Sequence, residues 1–214
     1  SYDNALAETI NGLFKAEASG RFTEWSGPAG LETMWPWGIA TADFDGDGFE
    51  DVFVPSGMGY PFAYWRSPLF LNRGDGTFVD ATVAAGLEPL PGGPLQAEKI
   101  GGRPATRSAR AAATGDLDGD GRPDLVVNMF NDRAMVFLNR TPARSWVGVR
   151  LKGVSPNRDA IGALVRVKAG GRTQVRQVDA AGGYLAQSSR TLHFGLGDLA
   201  KLDAVEIRWP DGKV

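Results

Sequence analysis

Residues 43–51 read Asp43-Phe44-Asp45-Gly46-Asp47-Gly48-Phe49-Glu50-Asp51, and residues 116–124 read Asp116-Leu117-Asp118-Gly119-Asp120-Gly121-Arg122-Pro123-Asp124. Each stretch carries aspartates at its positions 1, 3, 5 and 9. Four carboxylates in so short a span repel one another unless a cation sits among them. A hard divalent ion relieves the repulsion, and Ca²⁺ accepts about six to eight oxygen ligands in flexible geometry. Alternating positions let the side chains converge on one point, and a glycine at position 6 (Gly48, Gly121) supplies the sharp turn. The carbonyl of position 7 (Phe49, Arg122) can then face the ion. Mg²⁺ fits less well, because it keeps its waters and rarely takes an all-protein cage. An EF-hand is excluded: it needs a bidentate Glu at its twelfth position and flanking helices, and here Val54 and Val127 stand in β-branched runs. A solvated acidic turn without metal is the simplest alternative for one such loop. Two loops with matching ninth positions and matching flanks argue against it.

The flanks repeat too. Residues 39–54, IATADFDGDGFEDVFV, match 112–127, AATGDLDGDGRPDLVV, with Asp43 and Asp116 standing 73 residues apart. Residues 13–31 align without gaps on 69–87 at an offset of 56, so that Phe22, Ala29, Gly30 and Leu31 recur as Phe78, Ala85, Gly86 and Leu87. A third copy begins at 136–140, VFLNR, and then diverges. Asp75-Gly76 between LFLN and FVDAT is a hairpin signal. Each unit therefore reads as about four short strands and turns, the pattern of a propeller blade.

Composition agrees. The 214 residues contain 29 Gly, 13 Pro and no Cys, which favours many short strands and excludes a disulfide scaffold or a thiolate metal site. No apolar run approaches the roughly 20 residues of a membrane-spanning helix. Residues 1–139 hold 10 basic and 19 acidic side chains, whereas 140–214 hold 13 basic and 6 acidic. This charge step marks a boundary between residues 1–145 and residues 146–214. The basic side chains are spread singly, without a cluster, which argues against a nucleic-acid partner.

Residues 146–214 read as five strands: 146–152, 161–168, 172–179, 190–196 and 203–209. Gly170-Gly171 is the turn of a hairpin in which Val165 and Val167 alternate with Arg166 and Lys168. Such alternation suits a small antiparallel sheet packed on one face. Its basic face is expected to dock against the acidic first half.

The acidic loops resemble those of the FG-GAP (VCBS-type) repeat of integrin α-subunit propellers, in which D-x-D-x-D-G-x-x-D binds calcium. The resemblance implies two Ca²⁺ sites. One would use Asp43, Asp45, Asp47, the carbonyl of Phe49, and Asp51. The other would use Asp116, Asp118, Asp120, the carbonyl of Arg122, and Asp124. Asn157 to Ala163 (NRDAIGA), Gly182-Gly-Tyr184-Leu-Ala-Gln187, Leu192-His-Phe-Gly195-Leu-Gly197 and Arg208-Trp209-Pro-Asp-Gly212 resemble the ASPIC/UnbV domain. That domain follows FG-GAP repeats in large secreted bacterial proteins and in the cartilage acidic protein-like family. The expected fold is all-β: a partial β-propeller plus a small antiparallel β-sandwich-like domain. About two blades and part of a third cannot close a ring, so the chain is expected to be a piece of a larger protein.

Other features carry less. His193, the single histidine, lies in a strand without a Ser or Cys motif and reads as a packed or hydrogen-bonded residue. Arg73-Gly74-Asp75 falls in a hairpin turn and reads as that turn rather than as a recognition tripeptide. Gly195-Leu-Gly197 lacks the third glycine of a dinucleotide loop. Trp35-Pro36-Trp37 and Tyr60 to Trp65 suit blade packing, or else a carbohydrate or partner surface. Residues 88–110 read as one long Pro/Gly loop, either binding or disordered.

The function expected is an exported, extracellular or periplasmic, calcium-binding and non-enzymatic binding or scaffold module. Its partners would be proteins or further blades, with carbohydrate possible and no membrane span. Two alternatives remain: a subunit of a larger assembly, or a natural-product-type enzyme using a pocket on the propeller face, which a deep pocket with a perturbed carboxylate clear of calcium would favour.

Overall fold

The computed structural model describes residues 22–58, 66–87, 96–100, 103–106, 108–130 and 133–214. The aromatic run at 60–65 and the start of the 13–31 repeat lie outside these. Four short strands, β1 (Ala40–Ala42), β2 (Asp51–Phe53), β3 (Leu69–Asn72) and β4 (Phe78–Asp80), form one antiparallel sheet in chain order. The strands β5 (Gln96–Ile100) and β6 (Arg103–Thr106) pair as a hairpin. A second meander follows, of β7 (Ala109–Gly115), β8 (Asp124–Met129) and β9 (Met135–Phe137). Within 88–110, the expectation of a single loop is thus corrected: two strands pair there and a third begins at Ala109. Ile100 pairs with Arg103.

Each meander is one blade. In the first, Ala42 pairs with Asp51; in the second, Gly115 pairs with Asp124. Each acidic loop is therefore the connection between a blade's first two paired strands. The blades pack on each other through Ala40, Phe44, Phe53 and Leu69 of one and Ala109, Ala112, Leu125 and Val127 of the other, all buried. The 56-residue offset is exact at the level of hydrogen bonds. Ala29, Gly30 and Leu31 donate to the carbonyls of Trp25, Gly27 and Ser26 around the single helical turn α1 (Ser26–Ala29). Ala85, Gly86 and Leu87 donate likewise to Ala81, Val83 and Thr82. Gly30 and Gly86 both end their turns at positive φ, 75° and 71°, a conformation that favours glycine.

The last five strands are β10 (Ser145–Val149), β11 (Leu164–Ala169), β12 (Arg172–Gln177), β13 (Leu192–Gly197) and β14 (Ala204–Arg208). They make two antiparallel sheets, β10-β13 and β12-β11-β14, enclosing a separate core with Val165, Val167, Val178, Leu192, Phe194 and Leu196. Val165 and Val167 point inward as their alternation requires, and Ala169 pairs with Arg172 across the Gly170-Gly171 turn. Among the described residues no helix is long and apolar enough to cross a membrane.

Candidate metal centres

In both loops the glycines at positions 4 and 6 take positive φ: Gly46 and Gly48 at 72° and 95°, Gly119 and Gly121 at 78° and 83°. These bends turn the alternate aspartates onto one side. In the first loop, carboxylate oxygens of Asp43, Asp45 and Asp51 lie within 4.8 Å of one another; in the second, those of Asp116, Asp118 and Asp120 do so. Asp47 and Asp124 fall outside these tight groups. Asp47 instead accepts the Phe49 N–H at 2.8 Å.

The ninth-position aspartates have a second task, identical in both copies. Asp51 accepts the N–H of Phe44 at 2.7 Å and of Asn72 at 2.9 Å. Asp124 accepts the N–H of Leu117 at 2.7 Å and of Asn139 at 2.7 Å. Each of these buried carboxylates ties its loop to the asparagine of the following LFLN or VFLN strand. The two asparagines donate back, Asn72 to the Glu50 carbonyl (3.0 Å) and Asn139 to the Pro123 carbonyl (3.0 Å).

The centres differ in their surroundings. In the first, Asp43 is 2% exposed, and its Oδ2 accepts the N–H of Gly48 (2.9 Å) and of Gly195 (3.0 Å). Its Oδ1 is buried with no hydrogen-bond donor. Burial, reinforced by the Asp47 charge, pushes the Asp43 carboxyl up to about 6. Burial pushes that of Asp51 up to about 8. Three clustered carboxylates, one of them with a buried oxygen that has no donor, are a donor set that suits a hard cation. The first loop therefore fits Ca²⁺.

The second loop is open to solvent. Both oxygens of Asp116 are engaged by the loop's own N–H groups, those of Gly119, Asp120 and Gly121. Arg140 reaches Asp118 and Asp120 at 2.8 and 2.9 Å, and Arg122 also pairs with Asp120. Guanidinium groups thus balance charge where an ion would. Neither arginine's part in this pairing was visible from spacing, although Arg140 closes the repeated VFLNR.

The C-terminal strands lie directly on both loops. Arg172, Gln174 and Arg176 share one face of β12 by the two-residue period. Arg172 sits 5.1 Å from the Phe49 ring, Gln174 donates to the Gly195 carbonyl at 2.7 Å, and Arg176 pairs with Glu50 at 3.2 Å. The docking face is thus that of β12; Arg166, from the basic face expected of β11, pairs within its own sheet with Glu206. The His193 ring hydrogen-bonds the Gly121 carbonyl through Nε2 at 2.8 Å and stacks on Trp146. Burial pulls its pKa down, so it is a packed, neutral residue whose Nε2 carries the proton.

Two further motifs resolve. Gly74 of the Arg73–Asp75 turn faces the Phe49 ring, which a Cβ there would overlap at 2.4 Å. That turn is built into the first blade. Trp37 lies under the Arg110 guanidinium (4.3 Å) and meets the Tyr184 ring at a tilt (5.8 Å between ring centroids), while it and Trp35 keep exposed surface. A cavity of about 440 Å³ opens at the junction, and Asp179, Arg176 and His193 line it together with Asp43 and Asp116. Burial and then the Glu50 charge raise the Asp179 carboxyl. The cavity is thus walled both by the leading aspartates of the acidic loops and by Asp179, a carboxylate outside them.

Comparison with known proteins follows the same division. An FG-GAP-like repeat model matches residues 5–54 and 62–127, more than half the chain. A further FG-GAP repeat model matches 35–77, and the ASPIC and UnbV model matches 153–214. Human cartilage acidic protein 1 is 33% identical over 189 residues, 82% of this chain and 25% of that protein. The mouse protein is 34% identical over 105 residues, 46% of this chain and 16% of that protein. The chain thus spans a quarter or less of the length of these relatives.

Proposed function

The chain belongs to the FG-GAP-like repeat family, and we propose that it is an exported, non-enzymatic, calcium-stabilised binding or scaffold module. Residues 1–145 would form the blades and 146–214 the ASPIC/UnbV domain. One ion would be held by Asp43, Asp45, Asp47, the Phe49 carbonyl and Asp51. A second would be held by Asp116, Asp118, Asp120, the Arg122 carbonyl and Asp124. The observation that carries the reading is the clustering of carboxylate oxygens of Asp43, Asp45 and Asp51 within 4.8 Å of one another, with the buried Oδ1 of Asp43 lacking any donor.

Bound calcium would neutralise each cluster and pin the strand–turn–strand of its blade, so its binding free energy would add to folding free energy. Extracellular sites of this chemistry need bind only at about 10⁻⁴–10⁻³ M, which suits an exported protein. Its partners would be other proteins or further blades.

The test is thermal unfolding with calcium and with EGTA, on the wild type and on an Asp45→Ala, Asp118→Ala double variant. The midpoint should rise with calcium in the wild type and stay put in the variant. A wild-type midpoint indifferent to calcium would overturn the reading.

A further inference from the structure

We infer that strand β13 is part of the first calcium site: its docking orients the leading ligand, so calcium binding at Asp43 and seating of the C-terminal sheet strengthen each other. The inference rests on the calcium reading above and adds a component that no loop motif contains.

The two leading aspartates show the difference. Asp116 spends both oxygens on N–H groups of its own loop. Asp43 receives only one N–H from its own loop, that of Gly48, and takes the second from Gly195, 152 residues away. Both fall on Oδ2, and Oδ1 is left buried without a donor, on a side chain that brings a carboxylate oxygen within 4.8 Å of oxygens of Asp45 and Asp51. The Gly195 N–H therefore holds the carboxylate in the rotation that leaves its other oxygen without a donor and available to an ion.

The approach leaves no slack. A Cβ at residue 195 would lie 2.0 Å from Asp43 Oδ2 and 2.8 Å from the Gly46 carbonyl carbon. Gly197 donates its N–H to the Gly46 carbonyl at 2.9 Å, fixing position 4 of the loop. Gln174 holds the Gly195 carbonyl from the other side. Without an ion, Asp43 and its neighbours repel one another beneath this strand. With one, the loop closes on a fixed shape that fits it. Two events that favour the same arrangement are coupled, and the coupling is reciprocal.

Hydrogen exchange on the intact chain tests this, read at the Gly195 and Gly197 amides with calcium or EGTA, beside calorimetric titration with calcium alone. Calcium should slow exchange at both amides by about tenfold, within the range of ordinary coupling. The slowing should vanish in Asp45→Ala and persist in Asp118→Ala. Gly195→Ala should weaken one calcium site about tenfold and spare the other. Calcium binding at the first loop with exchange at 195 and 197 unchanged would overturn the inference and leave the calcium reading standing. Unaltered affinity in Gly195→Ala would do the same. No calorimetric binding at all would overturn both. Should Gly195→Ala fail to fold, the wild-type exchange measurement still decides.

Discussion

Arg176 and Glu50 form an ion pair at 3.2 Å with both side chains largely withdrawn from solvent, 12% and 10% exposed. It joins β12 to the residue just before the ninth position of the first acidic loop. A pair this buried contributes little net stability, but removing one partner strands the other charge. Arg176→Met should therefore destabilise the protein by about 3–5 kcal/mol. Adding Glu50→Gln should recover a good part of the loss. Urea unfolding of the two variants checks this; equal stability of the single and the double variant would disprove it.

Metal-free protein should lose stability as pH rises. Folding raises the Asp51 carboxyl to about 8 and that of Asp43 to about 6, from an ordinary 3.8. The folded chain then holds more protons than the unfolded chain between about pH 4 and about pH 8, so stability declines across that window. Calcium should flatten the decline, because it favours the ionised carboxylates. Melting in EGTA at a series of pH values is the measurement. A midpoint that climbs toward pH 8 would contradict the assignment.

Arg140 competes with an ion at the second loop, bridging Asp118 and Asp120. Arg140→Ala should tighten calcium binding there by a few-fold. The gain is small because the arginine is over half exposed and water and salt screen it. Titration at low and at high ionic strength should show the advantage shrinking as salt is added. An unchanged affinity at low salt would mean that the arginine does not compete.

Asn139 links the blades. Its Nδ2 donates to the Phe44 carbonyl at 2.7 Å as well as to Pro123, while its N–H serves Asp124. Asn139→Ala should cost about 1–3 kcal/mol, since it leaves a partly buried carbonyl short of donors. Denaturant unfolding reads the loss, and a cost below about 0.5 kcal/mol, the level of an ordinary surface change, would refute this role.

Local features were legible in the sequence wherever the repeat wrote them twice. Ser26 to Leu31 and Thr82 to Leu87 share composition only in part, yet they close the same turn with the same three donors and acceptors. The acidic loops announced themselves by charge that cannot be packed without relief. The Val165/Val167 alternation told which face of β11 is buried. What the sequence hid is long-range. Gly195 looked like half of an incomplete glycine motif; its real constraint is the Asp43 carboxylate 152 residues earlier. His193 was readable as packed, but only the fold shows that it packs on the second loop. The two copies of the loop share every aspartate and glycine position, yet the C-terminal strands bury the leading aspartate of the first while leaving that of the second exposed.

Strand β13 turns Leu192, Phe194 and Leu196 into its own core, while His193, Gly195 and Gly197 meet, in turn, the second loop and two points on the first. Those contacts recur every second residue, about 6.6 Å apart along a strand. The loops stand 73 residues apart in the chain, but the strand sets them side by side like a gauge. A single residue inserted between His193 and Gly197 would reverse which side chains point inward, and the chain would lose its grip on both loops and its own core in one step.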